Sequence, residues 1–226
     1  MDQVKNVPQQ DRAIRTRFRV LQAAAAEFDE HGYGETTIKQ IAEKAGVSQG
    51  ALYFHFDSKE ELARAVLDAQ FGEVQVAPQP VKLQELVDTS YVLAYKLRDD
   101  PILRGASSLA MEQGKKFLDR RRSMDAWNEF AANLLTEARE RGEILETVNI
   151  EKTAWNLVAS FAGIQNMSQE YTRRQDLTAR LTDMWEKDMP NIALPALLRK
   201  LQIHESRGEE LVMQAERSGP SFSADA

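Results

Sequence analysis

Gln49, Gly50, Tyr53 and His55 lie within seven residues of one another. Two of them carry polar tips on flat rings, one carries an amide, and one has no side chain. That combination suits contact with DNA. A Gln amide can pair bidentately with adenine or reach a phosphate. Gly50 lets the backbone come close to a sugar-phosphate chain, and the tips of Tyr53 and His55 can meet phosphate oxygens. Thr36, Thr37 and Ser48 are expected at or beside helix N-termini, where free amides and the helix dipole favour an anion. Phe54 and Lys59 complete the candidate DNA-binding set. Lys59 adds positive charge beside Arg12, Arg15 and Arg19 of the first helix.

Other chemistry is missing. The 226 residues include no cysteine, which excludes disulfides, thiolate zinc sites, iron–sulfur clusters and cysteine nucleophiles. The three histidines, His31, His55 and His204, are far apart and fit no ligand pattern. No metal or cofactor is expected. No nucleophile–base constellation and no Gly-rich phosphate loop supports an enzyme. A formal net charge of −6 argues against coating nucleic acid by bulk charge, while leaving room for a local basic patch. Met1 to Gln10 is polar without an apolar signal core. Apolar runs fall far short of the ~20 residues that span a bilayer. A cytoplasmic protein without a membrane partner is expected.

The elements that must hold the candidate residues are helical, and the fold class is all-α. Ile14, Phe18, Leu21, Ala25 and Phe28 recur on one face of a first helix over 11–31, stopped at Gly32. Thr37 with Gln40 forms a capping box that opens a short helix from Ile38 to Lys44. Gly46 supplies the left-handed turn, Val47 plugs the angle, and Ser48 caps a second short helix from Gln49 to about His55. Ile38, Ile41, Ala42 and Leu52 face inward, which turns Gln49, Gly50, Tyr53 and His55 outward. This is a helix-turn-helix pattern. Ser58 and Glu61 open a connecting helix over 57–71. Pro78 and Pro80 break the chain after it. Beyond lie amphipathic stripes from Leu83 to Leu97, Trp127 to Ala138, Ala154 to Ile164 and from Leu177, with a last helix after Pro195. Asp99 and Asp100 read as a solvated loop, and the polar stretch after Gly208 as frayed. The expected organisation is a DNA-binding head over 1–56, a ligand-binding and dimerisation body over 57–216, and a disordered tail over 217–226.

The string Gly46-Val47-Ser48-Gln49-Gly50-Ala51-Leu52-Tyr53-Phe54-His55-Phe56, followed by Lys59-Glu60-Glu61-Leu62, resembles the DNA-binding signature of the TetR family of repressors. Further similarity, to the γ-butyrolactone autoregulator receptors of Streptomyces-type actinomycetes, lies in Asp11–Arg17, Asp100–Gly105, the isolated Trp127 and Phe161-Ala162-Gly163-Ile164-Gln165. The resemblance implies a homodimeric repressor that places one recognition helix of each head in a pseudo-palindromic duplex. It also implies release by a butyrolactone or butenolide, in control of secondary metabolism. Gln49 stands where such receptors often carry Lys, and Ser160 where they often carry Thr. A pseudo-receptor of the same fold, answering to an antibiotic or a biosynthetic intermediate, is the alternative.

Within the body, Gln165 falls in the apolar stripe of its helix. A core amide there either bonds a neighbouring backbone or meets a ligand. Ser160 flanks the same stripe, and its hydroxyl either bonds the preceding turn or faces the ligand. Trp127 is a core residue or, as the resemblance implies, a cover over a lactone. Trp155 and Trp185 read as core or interface. Gln70, near the end of the connecting helix, is a solvated end or a reader of ligand that moves the head. Trp127, Phe161, Ser160, Gln165 and Gln70 form the candidate effector set, a mostly apolar lining with a few donors. Helices around 154–168 and 177–200 are expected to pair two subunits. A helical interaction module without DNA binding would not need the outward pattern at Gln49, Gly50, Tyr53 and His55.

Overall fold

The structure, a computed structural model, describes residues 7–112 and 120–218. Its helices are α1 (Val7–Glu35), α2 (Ile38–Ala45), α3 (Gln49–Tyr53), α4 (Lys59–Glu73), α5 (Lys82–Lys96), α6 (Pro101–Met111), α7 (Arg120–Glu140), α8 (Ile150–Thr172), α9 (Leu177–Asp188), α10 (Pro195–Leu198) and α11 (Arg207–Ser218). Strand pairing among the described residues amounts to a single isolated bridge between Ile144 and Ala193. The chain is all-α, as its periodicity predicts.

Packing divides the chain into two units. The first takes the chain up to Glu73 together with Asp99–Ser123, and the second takes Val74–Arg98 together with Met124 onward. This division differs from the expected cut after residue 56. The reason is apolar burial. α4 sinks Leu62, Ala63, Val66 and Leu67 into the core that holds Val20, Phe28, Ile41 and Leu52, and α6 adds Ile102, Ala106 and Leu109. The proline-bearing stretch between α4 and α5 is where the chain leaves this core.

α1 shows how packing edits an amphipathic pattern. Its stripe is buried only from Val20 onward, while Ile14 is 60% and Phe18 46% exposed. The core that receives the stripe begins at Val20. Gly32, at φ 70° and ψ 167°, breaks the helix, and a single turn restarts after it.

The solvated loop expected at Asp99 and Asp100 holds for Asp99, which is exposed in a turn, whereas Asp100 opens α6. The Asp100 side chain accepts from the Leu103 amide at 3.0 Å and caps the helix, with Pro101 in its first turn. The helix then crosses α1 at Gly105. A Cβ on Gly105 would stand 2.4 Å from the Ala25 carbonyl oxygen, so no larger residue fits this crossing. Polar contacts reinforce it. The Arg104 Nε donates to Asp29 at 2.8 Å, and the Ser108 hydroxyl donates to the same carboxylate at 3.1 Å.

The second unit is organised around α5. Val81 precedes α5 without a side-chain cap. The buried Glu143 carboxylate supplies one from afar, accepting from the Lys82 and Leu83 amides at 3.0 and 2.9 Å. Asp88 is fully buried and takes a two-pronged bond from Arg207 at 2.8 and 2.7 Å. The Gln84 amide bonds the backbone of Gln202 in both directions. Gly208 lies so near Tyr91 that a Cβ would stand 2.3 Å from the Tyr91 carbonyl oxygen. The polar stretch expected to fray after Gly208 is therefore helix as far as Ser218. The remainder of the expected tail, 219–226, lies outside the described residues. The last helix expected after Pro195 is only the four residues of α10.

At the α8–α9 turn, Asp176 accepts from the Ser168 and Thr172 hydroxyls at 2.6 Å each and from the Arg180 Nε at 3.0 Å. These bonds, the Ser168 hydroxyl foremost, lower its pKa to about 2. A depressed carboxylate pKa contributes stability above its ordinary 3.8, and the contribution is lost as pH falls toward 2. Hydrogen-exchange protection factors in this turn, corrected for the intrinsic pH dependence of exchange, should hold steady down to about pH 4 and fall below it, and Asp176→Asn should abolish the acid-dependent step. Gly105→Ala should destabilise the chain by about 1–3 kcal/mol in thermal melts, because the α1–α6 crossing must open to admit the methyl group.

Candidate nucleic-acid interface and effector site

The presentation of α3 follows from its caps. The Thr37 hydroxyl oxygen accepts from the Gln40 amide at 3.3 Å, while the Gln40 side chain accepts from the Thr37 amide at 2.9 Å. Gly46 is left-handed at φ 65°, and its amide returns to the Ala42 and Glu43 carbonyls. The Val47 amide donates to the Ala42 carbonyl at 3.0 Å. Half-buried, Val47 packs against the core. The Ser48 hydroxyl oxygen then accepts from the Ala51 amide at 3.1 Å and starts α3. Leu52 alone of α3 is fully buried. Its burial fixes the roll of this short helix, so Gln49, Gly50 and Tyr53 are exposed and Phe54 is 82% exposed. His55 is half-buried, with its ring edge-on to Phe54 at 5.2 Å. The Arg17 guanidinium lies 4.7 Å over the ring of buried Phe56. That contact was not anticipated, because nothing local relates the two positions.

Two expected phosphate contacts are placed otherwise. Thr36 is 1% exposed, and its hydroxyl donates to the Glu27 and Gly32 carbonyls at 3.0 and 2.7 Å. It ties the break in α1 instead of facing outward. The Lys59 ammonium donates to the Tyr33 and Thr36 carbonyls at 2.8 and 2.7 Å and sits 4.2 Å over the Tyr33 ring. Its charge is directed into the protein. Thr37 and Ser48 remain exposed, with their side chains engaged in capping.

The effector candidates fall in different units. Trp127 on α7 is half-buried, edge-on to Phe130 at 5.9 Å. On α8, Ser160 and Phe161 are half-buried and Gln165 is 6% exposed. These four belong to the second unit. Gln70 belongs to the first and is not the solvated helix end that was one alternative. It is buried, and its amide donates to the Leu67 carbonyl at 2.7 Å and the Ser123 hydroxyl at 2.8 Å. A groove of about 510 Å³ between α7 and α8 is lined by Asn128, Glu151, Lys152, Trp155 and Asn156, a different set from the expected one. Trp185 is core, with its indole N–H on Ser90 at 2.8 Å, whereas Trp155 is 63% exposed.

Residues 20–66, which enclose this helix-turn-helix, match the family described as bacterial regulatory proteins, tetR family. Residues 81–191 match the tetracyclin repressor-like C-terminal domain. The chain is 35% identical to the A-factor receptor protein of Streptomyces griseus, over 85% of this chain and 69% of that protein. The chain belongs to the TetR family. Among solved structures it is similar to full-length TylP, a TetR regulator from Streptomyces fradiae. The TM-score is 0.84 at 40% identity, covering 90% of this chain and 99% of that one. It is also similar to a γ-butyrolactone receptor described as ArpA-like, with TM-score 0.67 at 25% identity over 90% and 98% of the two chains. Among the described residues no helix is long and apolar enough to cross a membrane.

If the roll of α3 is set by Leu52, Leu52→Ala should cost about 2–5 kcal/mol in chemical denaturation. Phe54→Ala, at the exposed end, should shift stability by no more than about 0.5 kcal/mol.

Proposed function

We propose that this TetR-family protein is a homodimeric transcriptional repressor. Its two α3 helices enter successive major grooves of a pseudo-palindromic operator, and a γ-butyrolactone or butenolide releases it, in control of secondary metabolism. The observation that carries the reading is the outward face of α3: Gln49, Gly50, Tyr53 and Phe54 exposed together, on a helix rolled by a single buried leucine. Ser48, Gln49, Gly50, Tyr53, Phe54, His55 and Thr37 make up the proposed contact surface. The likeness to proteins named for A-factor and for γ-butyrolactone supports the effector class.

Trp127, Phe161, Ser160 and Gln165 are proposed to meet the lactone. The indole and phenyl rings supply apolar area, and the hydroxyl and amide supply donors. Gln70 is proposed to act within the head unit through its bond to Ser123. Dimerisation is proposed along α8, where Trp155, Ala159, Gly163, Met167 and Tyr171 recur every four residues. All five are exposed, and Trp155, Met167 and Tyr171 are exposed large apolar side chains. A cytoplasmic location fits a protein whose target is the chromosome.

The deciding experiment selects duplex fragments from genomic DNA with the purified protein, then titrates the selected duplex with synthetic γ-butyrolactones. Selection of a duplex with two half-sites about one helical turn apart or a multiple of it, and release by a lactone, is the expected result. Gln49→Ala should weaken binding to that duplex by about tenfold or more. Release by an antibiotic and by no lactone would replace the effector with that of the pseudo-receptor reading. Selection of no duplex would remove the repressor reading altogether.

A further inference from the structure

The last turn of α1, which leads into α2, is held by opposite charges from the end of α6 and the start of α4. Gly32 breaks α1, and a single helical turn restarts at Tyr33, closed by the Thr36 amide on the Gly32 carbonyl at 3.3 Å. A restarted turn has free amides at its beginning and free carbonyls at its end. Glu112, the residue that ends α6, supplies the acceptors. Its carboxylate takes the Tyr33 amide at 2.8 Å and the Gly34 amide at 3.3 Å. Lys59, the first residue of α4, supplies the donors, with its ammonium on the Tyr33 and Thr36 carbonyls at 2.8 and 2.7 Å. An anion caps the positive end of the turn and a cation the negative end, which is the favourable arrangement for the dipole at both places. Thr37, which caps α2, follows immediately.

We infer that Glu112 is a positioning residue for operator binding: through the Tyr33 and Gly34 amides it makes the placement of α6 set the orientation in which α2 and α3 are presented. Four observations support this. α6 is fixed to α1 by the Gly105 crossing and by the Asp29 contacts with Arg104 and Ser108, so Glu112 is delivered from a rigid base. The segment it grips precedes the recognition motif with no intervening loop beyond Thr36 and Thr37. Tyr33 is packed against Phe28 with ring centroids 5.7 Å apart, and its buried phenol bonds Glu60, so the gripped turn is continuous with α1 and α4. Finally, α6 is joined in the chain to the second unit on both sides, at Arg98–Asp99 and at Ser123–Met124. The inference rests on the operator-binding reading above and adds to it the residue that couples α6 to the head.

The consequence is specific to a dimer. Two heads that engage one duplex together gain from each other only when their orientation is held. Loosening the turn should therefore harm the two-headed complex far more than a one-headed one. The test uses the full chain and the duplex selected by the wild-type protein, in an intact form and in a form with one half-site scrambled. Glu112→Gln keeps the shape and one acceptor oxygen, and Glu112→Ala removes both. Both variants should speed hydrogen exchange at Tyr33 and Gly34 and lower affinity for the intact duplex by about tenfold, the scale of a lost charge-assisted bond. Affinity for the single half-site should change by less than about twofold. Equal losses on both duplexes, or unchanged affinity for the intact one, would overturn the inference while leaving the repressor reading in place. Failure of the wild-type protein to select any duplex would instead defeat that reading, and with it the role assigned to Glu112.

Discussion

The backbone contact between α1 and α6 at Gly105 is the constraint on which the first unit is built. Two helices approach here as closely as a glycine permits, and the flanking Asp29, Arg104 and Ser108 fix their register. Ile102, Ala106 and Leu109 thereby reach the core that Val20, Phe28 and Leu52 share. α4 closes the same core from another side. The helix-turn-helix is thus not a free-standing head on a stalk. It is one surface of a body that already contains α6, a helix from beyond α5, and this explains why the packing boundary ignores the end of the recognition motif.

What the sequence revealed and what it concealed follow from where each interaction lies along the chain. The capping boxes, the left-handed Gly46 and the inward Leu52 are local, spaced by three or four residues, and each was visible in the order of residue types. Thr36 and Thr37 were not separable in this way. Both are threonines beside a helix start, yet one hydroxyl is buried against carbonyls from α1 and the other caps α2. The difference depends on the break at Gly32 and on what packs over it. Lys59 looked like an exposed cation because the carbonyls that receive it are 23 and 26 positions away.

Two helices escaped the periodic reading for a related reason. In α6 the apolar positions are interrupted by Arg104, Gly105, Ser107 and Ser108, residues that suggest a loop until Ala25 and Asp29 are placed opposite them. In α11 the second residue is Gly208, ordinarily a helix breaker, required here because the Tyr91 carbonyl leaves room for nothing larger. In both, a glycine that weakens the helix by itself permits the contact that holds it in place. The effector candidates were legible as residue types, and their placement separates them: Trp127, Ser160, Phe161 and Gln165 in one unit, Gln70 in the other, already engaged with Ser123.

The anchorage of α11 lies beyond the span shared with the family's C-terminal domain, which stops at residue 191. Asp88 sits at zero exposure and is met on both oxygens by a guanidinium delivered from 119 positions downstream. Shortening the protein to the shared span would therefore take the guanidinium from a buried carboxylate left with only the Gln79 and Gln84 amides, and remove the glycine packed on the Tyr91 carbonyl. A truncated version designed from family boundaries alone would be a damaged molecule, whereas a fluorescent or affinity module joined after Ser218 leaves this fastening untouched.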